Sequence, residues 1–577
     1  MNDTFGVNNV SVEFGEVQAL DQISLQVPSG QVTAIVGGDG AGKSTLLKVL
    51  SRQVLPNIGE VSSTDKKHLG YQPATSGVWR ELSVVENIDF VGRSYGMKTD
   101  DISVQTDRLL RRAGLEEARH RLGSELSGGM RQKLGFLLAI MHDPTLVLLD
   151  EPSTGVDPVS RVELWRLIAE TAASGAAILM TTTYLDEAAR AANILALDKG
   201  KAIAYGSPNE ITSSIPGIIG IGKPDPSATF SWQSGSRRLF WMPDGTKFEG
   251  EKYTNPDLKD AIVALTLAQS KIPEDRPEET APLPKSSIQE NSIIASGKNI
   301  SKSFKGITAV DDVTIEVKSG QIVGLIGANG AGKTTFLRTL IGLSRADNGT
   351  VSLFGAPPDK SSHKRMGYVP QGLGLYKNLS IEENAAFYRR VFGTALVKLP
   401  ENLEKLRRTP VGKIGLGLQR QLAFALALSH GPELLILDEP TSGVDPLTRA
   451  ELWDTIHAQA EAGRGIIVTT HYMEEATQCS TLALMSHGRL VGSGTIADLT
   501  CETTAVLVET EHWQDAFNKL GSAGLPTMLD GRNIRVAGAS IGDVKAALGN
   551  LAANITSVPP TLEETMVLNE SALPYDG

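Results

Sequence analysis

The chain has 577 residues, 41% hydrophobic and 21% charged, with 66 acidic against 55 basic side chains and a formal net charge of −11. At about 150 residues per domain this is roughly four domains, each long enough to bury a core, and the composition excludes a disordered or collagen-like chain. The acidic balance excludes a surface basic throughout, as a nucleic-acid wrapper needs, and two cysteines, Cys479 and Cys501, exclude a disulfide framework or a four-cysteine zinc site.

Taken in chain order, Met1-Asn2-Asp3-Thr4 opens with neither the basic nor the apolar stretch of a secretory signal. Gln31 to Val36 is a short apolar run ending in glycine, which predicts a buried strand. Gly37-Gly38-Asp39-Gly40-Ala41-Gly42-Lys43-Ser44-Thr45 follows, then Leu46, Leu47, Val49 and Leu50 at helical spacing. Leu126-Ser127-Gly128-Gly129-Met130-Arg131-Gln132 predicts a glycine-opened helix, and Leu146 to Leu149 a second buried strand closed by Asp150-Glu151-Pro152. Gly155-Val156-Asp157-Pro158 and Thr182-Thr183-Tyr184 come next. The stretch Thr171 to Leu185, between Glu170 and Asp186, is too short and too polar to span a membrane.

The same words then return in the same order, offset by about 290 residues, so the repeating unit is a whole domain. Gly327-Ala328-Asn329-Gly330-Ala331-Gly332-Lys333-Thr334-Thr335 follows the apolar run Gln321 to Ile326; Leu434 to Leu437 runs into Asp438-Glu439-Pro440; Gly443-Val444-Asp445-Pro446 and Thr470-His471-Tyr472 complete the series. Strand and helix alternate in both halves, which predicts an α/β chain of two P-loop NTPase domains with largely parallel sheets. The expected divisions are a first ATPase domain at 5–205, a first accessory subdomain at 206–270, a Pro- and charge-rich linker at 271–291, a second ATPase domain at 292–493 and a second accessory subdomain at 494–570. Asn255 to Asp260 and Pro559 to Glu564 read as matching elements of the two tails.

Gly-x-x-x-x-Gly-Lys-[Ser/Thr] is a phosphate-binding pattern. Gly37, Gly40 and Gly42, and Gly327, Gly330 and Gly332, let backbone N–H groups converge on an anion at a helix N-terminus. Lys43 and Lys333 reach the β/γ oxygens, while Ser44 and Thr334, each followed by a second hydroxyl at Thr45 or Thr335, offer a ligand to Mg²⁺. Asp150 and Asp438 end buried strands where they can orient the metal's shell, and Glu151 and Glu439 can accept a hydrogen bond from an attacking water. Ser127, Gly128 and Gly129 form another helix-opening anion site, 23 residues before Asp150 (127 to 150). A chain that already has a P-loop needs this second phosphate site only if two domains sandwich two nucleotides.

With these motifs assembled, the chain resembles a tandem ATP-binding cassette (ABC) ATPase. The resemblance implies ATP and Mg²⁺ as cofactors and head-to-tail cassettes, each nucleotide lying between one P-loop and the opposite signature Ser-Gly-Gly. It makes Gln72 and Gln371 the Q-loop glutamines that sense Mg²⁺, Asp157 and Asp445 the D-loop aspartates, and Phe14 and Phe304 the aromatics stacked on adenine; a core phenylalanine on a strand is the alternative for these last two. His471 matches the switch histidine, 33 residues after Asp438, whereas Thr183 stands at that distance after Asp150. The second signature reads Ile414-Gly415-Leu416-Gly417-Leu418, with glycine for the serine and leucine for a glycine. Both departures fall in one composite site, so the expectation is one consensus site served by Glu439 and His471 and one degenerate site that retains Glu151.

Ser442 to Arg449, Thr470 to Ala476 and the closing Pro560-Thr561-Leu562-Glu563-Glu564 resemble the ATPase subunit of bacterial ABC-2-type (multidrug) exporters. That likeness implies permease partners, two copies or a heterodimer, with the chain peripheral at the cytoplasmic face of the inner membrane and no nucleic-acid partner. It also places Trp79 and Tyr376 in grooves for the permeases' coupling helices, a buried core aromatic being the alternative. One rival is a soluble tandem ABC protein acting on the ribosome; such proteins carry long basic helical linkers, unlike the acidic, Pro-rich segment here. A tandem importer ATPase is the other.

Overall fold

The computed structural model describes residues 4–222, 230–235, 237–247, 252–269, 291–304, 306–327, 330–394, 397–470 and 472–571. The linker expected at 271–291 lies outside them except for its last residue, and so do Ala328, Asn329 and His471.

Each half contains a six-stranded sheet with one strand order. In the first it runs Leu69–Gln72, Leu146–Asp150, Ala177–Thr182, Val32–Val36, Asn193–Asp198, Lys201–Gly206. In the second it runs Met366–Val369, Leu434–Asp438, Gly465–Thr470, Ile322–Gly327, Thr481–Ser486, Arg489–Gly494. Neighbours pair in parallel except for the last strand, which is antiparallel. Every residue of Val32–Val36, Leu146–Asp150 and Ala177–Thr182 is buried, because helices cover both faces, and so these strands read as continuous apolar runs. A three-stranded antiparallel sheet covers the phosphate-loop helix: Val17–Pro28, Thr4–Phe14 and Ile58–Ser62 over Lys43–Leu50, and Ile307–Lys318, Ile293–Phe304 and Asn348–Leu353 over Lys333–Leu340. A helical subdomain follows. In the first half it has Val84–Ser94, the fifteen-residue Thr99–Ala113 and the signature helix Gly128–Ile140. In the second it has Ile381–Phe392, the short Glu401–Glu404 and Leu416–Leu428. The expected pair of α/β P-loop domains is what the chain forms.

The tails contain sheets of matching order. Strands Phe230–Ser234, Arg237–Met242, Ile218–Ile221 and Lys252–Thr254 correspond to Thr527–Asp530, Asn533–Ala537, Ala505–Glu509 and Asn554–Val558, all antiparallel. In the second tail, helices Trp513–Ser522 and Ile541–Leu548 join the strands into a βαββαβ, ferredoxin-like unit. Each tail ends in a helix, Leu258–Gln269 or Leu562–Ser571, at the places the sequence pairs.

The described residues fall into two compact units, and these are not the two halves of the chain. One is drawn from Met1–Pro216, Asn255–Ser270 and Glu502–Gly577, the other from Gly217–Thr254 and Lys271–Cys501. The sheet of the first tail thus packs with the second cassette, and the second tail from Glu502 onward packs with the first cassette. The core around the first signature helix accordingly includes Val506, Phe517, Ile534 and Val544 from the far end of the chain.

Candidate functional site

In the first unit the phosphate loop turns into its helix at Gly42, whose φ of 105° is left-handed. A Cβ there would come within 2.6 Å of the Ala19 carbonyl, so both the conformation and the close approach demand glycine. Gly332 repeats this with φ 94° and 2.2 Å to the Ala309 carbonyl. Lys43 Nζ donates to the carbonyls of Gly37 (2.8 Å) and Gly38 (3.1 Å) and lies 3.3 Å from Glu151 Oε1. Ser44 Oγ donates to Asp150 Oδ1 at 3.0 Å, and Thr181 Oγ1 donates to the same oxygen at 2.8 Å. The Thr181 hydroxyl also accepts from the Glu151 N–H at 2.9 Å. Glu151 adopts a positive φ of 48°, which swings its carboxylate off the strand that carries Asp150 and over to Lys43.

The second unit repeats the framework with other contacts. Lys333 Nζ donates to the Gly327 carbonyl at 2.6 Å, and Thr469 donates to Asp438 while accepting from the Glu439 N–H at 3.1 Å. Glu439 again has a positive φ, 50°. Burial pushes the Asp438 carboxyl above its ordinary range; the Thr469 hydrogen bond opposes this and the Glu439 charge adds to it. Gln371 Nε2 donates to Glu439 Oε2 at 2.8 Å, whereas Gln72 is turned to the signature helix, donating to Gln132 Oε1 at 2.7 Å. At the place equivalent to Gln132 stands Arg420, whose guanidinium grips the carbonyls of Glu439, Pro440 and Ser442 at 2.8, 3.0 and 2.9 Å.

The signature helices differ as their sequences do. Ser127 caps Gly128–Ile140 by accepting from the Met130 N–H at 3.2 Å, while Gly415 caps its helix with no side-chain bond and Leu416 turns partly into the core. Asp157 and Asp445 are N-caps of the helices Pro158–Ala173 and Pro446–Glu461, each with proline in the first turn. Thr183 is buried, and His471 lies outside the described residues. Phe14 and Phe304 are 52% and 50% exposed at strand ends, which removes the core alternative. Trp79 and Tyr376 are likewise 44% and 50% exposed, edge-on to Phe90 and Phe387 at 4.7 and 5.2 Å. Phe90 lines a shallow groove of about 510 Å³ with Leu82, Glu86, Asp89, Arg93 and Ser94.

One buried group escaped the sequence reading. Glu187 Oε2 accepts from Ser153 Oγ (2.7 Å) and Thr182 Oγ1 (2.8 Å), and its Oε1 lies 3.4 Å from Arg161 Nε. It ties the loop after Glu151 to the segment carrying Thr183 and to the helix capped by Asp157. Thr441 and Glu475 pair in the same way in the second unit. The signal was present: Ser153, Arg161 and Glu187 recur 288 residues on as Thr441, Arg449 and Glu475.

Buried lysines at helix N-termini, hydroxyls beside strand-end carboxylates and glycines that no Cβ could replace form a donor set that fits a magnesium-bound nucleoside triphosphate. Fold and site together define a tandem P-loop nucleotide-binding protein. The family described as ABC transporter matches at residues 20–154 and 310–442. The probable multidrug ABC transporter ATP-binding protein YbhF of Escherichia coli strain K12 is 32% identical over 530 residues, spanning 84% of this chain and 92% of that protein. The Nod factor export ATP-binding protein I of Burkholderia lata is 38% identical over 210 residues, 34% of this chain and 69% of its own. An archaeal ribosome recycling factor, solved in complex with the archaeal ribosomal stalk protein, superposes with a TM-score of 0.57 over 93% of this chain and 97% of its own; at 18% identity that likeness is one of fold alone. The chain belongs to the family of ABC transporter ATP-binding proteins.

Proposed function

We propose that the chain is the ATP-hydrolysing motor of an ABC-2-type membrane exporter, binding two Mg-ATP head to tail between its cassettes. The observation that carries the reading is the constellation of phosphate-loop lysine, strand-end aspartate and following glutamate, present in both units. Bound Mg-ATP supplies the scissile γ-phosphate and the charge that polarises it. Lys43 and Lys333 would hold the phosphate oxygens, Ser44 with Asp150 and Thr334 with Asp438 would hold the metal, and Gln72 and Gln371 would report on it. Phe14 and Phe304, exposed at strand ends, would meet adenine. Glu439, bonded to Gln371, would orient the attacking water, with His471 as its switch partner; Glu151 would do so more slowly opposite the uncapped Gly415 helix. The exposed aromatic pairs Trp79–Phe90 and Tyr376–Phe387, one per cassette, suit two permease subunits. No described helix is long and apolar enough to cross a membrane; the chain would sit peripherally at the cytoplasmic face of the inner membrane, held there by those partners.

In the purified chain, Glu439→Gln is expected to lower steady-state ATPase activity by about 100-fold or more, the scale of losing a positioned general base, and Glu151→Gln by less than about threefold. Equal losses would refute the asymmetric pair of sites. Capture of tagged protein from detergent-solubilised membranes is expected to bring down stoichiometric polytopic partners. Recovery of ribosomal proteins and rRNA would overturn the exporter reading in favour of a translation factor, and a periplasmic-binding-protein-dependent permease would favour an importer.

A further inference from the structure

The exchanged tails touch their cassettes at equivalent positions. In the first unit Arg190, in the turn after Leu185–Ala188, forms an ion pair with Glu563 of the closing helix Leu562–Ser571. Its guanidinium also lies 5.8 Å from the ring of Trp165, a buried residue of the helix Pro158–Ala173. The neighbouring Glu564 is fully buried and accepts from Arg535 Nε at 2.8 Å, which anchors the helix in its own subdomain. In the second unit the residue 288 positions after Arg190 is Gln478, whose Oε1 accepts from the Gly235 N–H at 2.8 Å. Asp454, on the helix Pro446–Glu461, accepts from the Gln233 N–H at 2.6 Å and from Arg238 at 3.3 Å. Gln233, Gly235 and Arg238 belong to the hairpin of the first tail. In both units, then, a subdomain encoded by one half packs on the helix after the D-loop (Trp513–Ser522 and Leu562–Ser571 on Pro158–Ala173, Phe230–Ser234 on Pro446–Glu461) and bonds the turn after the switch segment in the cassette encoded by the other half.

These two grips lie a few residues from the reacting groups. The turn carrying Arg190 follows Glu187, which bonds Thr182 on one side and Ser153 on the other. The turn carrying Gln478 follows Glu475, which bonds Thr441, and the strand before it ends at Thr470, whose hydroxyl accepts from the Tyr472 N–H at 2.9 Å. Buried, hydrogen-bonded carboxylates have few alternative arrangements, so a displacement of either turn is passed to the loop after Glu151 or Glu439 rather than absorbed.

We propose that the exchanged accessory subdomains are latches that position the switch segments, so that each cassette's switch is held by the half that does not encode it. Arg190 with Glu563, and Asp454 and Gln478 with Gln233, Gly235 and Arg238, are the positioning contacts. This rests on the ATPase reading above for its kinetic readout.

The test uses the purified full-length chain carrying Asp454→Ala, Gln478→Ala, or both, which loosen the latch on the cassette that carries Glu439. The expected result is a kcat for ATP reduced about fivefold or more in the double variant with KM within twofold, since the loss falls on geometry needed in the transition state rather than on nucleotide binding. Hydrogen exchange should accelerate across 472–478 while the strands Ile322–Gly327 and Leu434–Asp438 stay as protected as in the parent. Two results overturn the proposal: kcat and 472–478 exchange unchanged from the parent, or exchange accelerated evenly across the whole second unit, which makes the contact mere packing. A parent protein that hydrolyses no ATP sinks the ATPase reading instead, and the exchange measurement still decides the latch.

Discussion

Two glycines at matching places in the signature helices do different jobs. A Cβ on Gly129 would lie 2.5 Å from both Cβ and Oγ of Ser160, whereas one on Gly417 would lie 3.4 Å from Thr448. Gly129→Ala is therefore expected to destabilise the first unit by about 1–3 kcal/mol through overpacking. Gly417→Ala should be neutral or stabilising by up to about 1 kcal/mol through helix propensity; urea denaturation of the two variants checks both. His142 and His430 give a second contrast with the surface histidines. Each stacks on an aromatic ring, Tyr95 at 3.6 Å and Phe392 at 4.0 Å, and Nε2 bonds a backbone carbonyl, that of Leu69 or Met366. Nδ1 is buried with no hydrogen-bond partner among the described residues, so a proton there would be stranded. Burial holds both imidazoles below their ordinary pKa, against the pull of the carbonyls. The unfolded chain then takes up these protons more readily than the folded one. Stability is fully present above about pH 6.5 and is lost as pH falls toward the folded values. In His142→Phe and His430→Phe the slope of Tm against pH between about 5 and 6.5 should flatten; an unchanged slope would refute the assignment.

Among the elements, the signature helix and the helix after the D-loop are tied differently in the two units. Lys133, buried, donates to Glu163 at 2.8 Å in the first, while Gln421 donates to Glu451 at 2.9 Å in the second. Removing the buried ammonium's partner leaves it uncompensated, so Glu163→Ala should cost more stability than Glu451→Ala, by roughly 1 kcal/mol after allowing for the exposure of Glu163. The sheet, the phosphate loops and the strand-end carboxylates were legible in the sequence because each is a local pattern: an apolar run, a glycine spacing, a charged pair after a strand. The partners of Gln72 and Gln371 were not, because they depend on whether position 132 or 420 holds an amide or a guanidinium, a choice made by a helix 60 residues on from Gln72 and 49 on from Gln371. Phe14 read equally as core or surface, since a single phenylalanine at a strand end carries no periodicity. Glu187 belongs to no motif of its own, and its role shows only where the fold places Ser153, Thr182 and Arg161 around it. The exchange of the tails had no local signature at all, since nothing in the sequence of a strand states which sheet-bearing body it will lie against.

At the scale of the molecule the backbone passes from one unit to the other near residues 216, 254, 270 and 501. Each unit therefore contains chain from both sides of the linker. With a specific protease site inserted in the linker, the cut protein is expected to run on gel filtration as one particle and to separate only in denaturant. Two freely separating fragments would contradict the exchange. The same feature bears on how such a protein can change over generations. In a simple tandem duplicate each copy keeps its own contacts and can be replaced, lost or traded with a relative. Here Glu563 is matched to Arg190, and Arg238 to Asp454, across the midpoint of the gene. A recombination event that imports one half brings the wrong counterpart for both, so the two halves are bound to be inherited together.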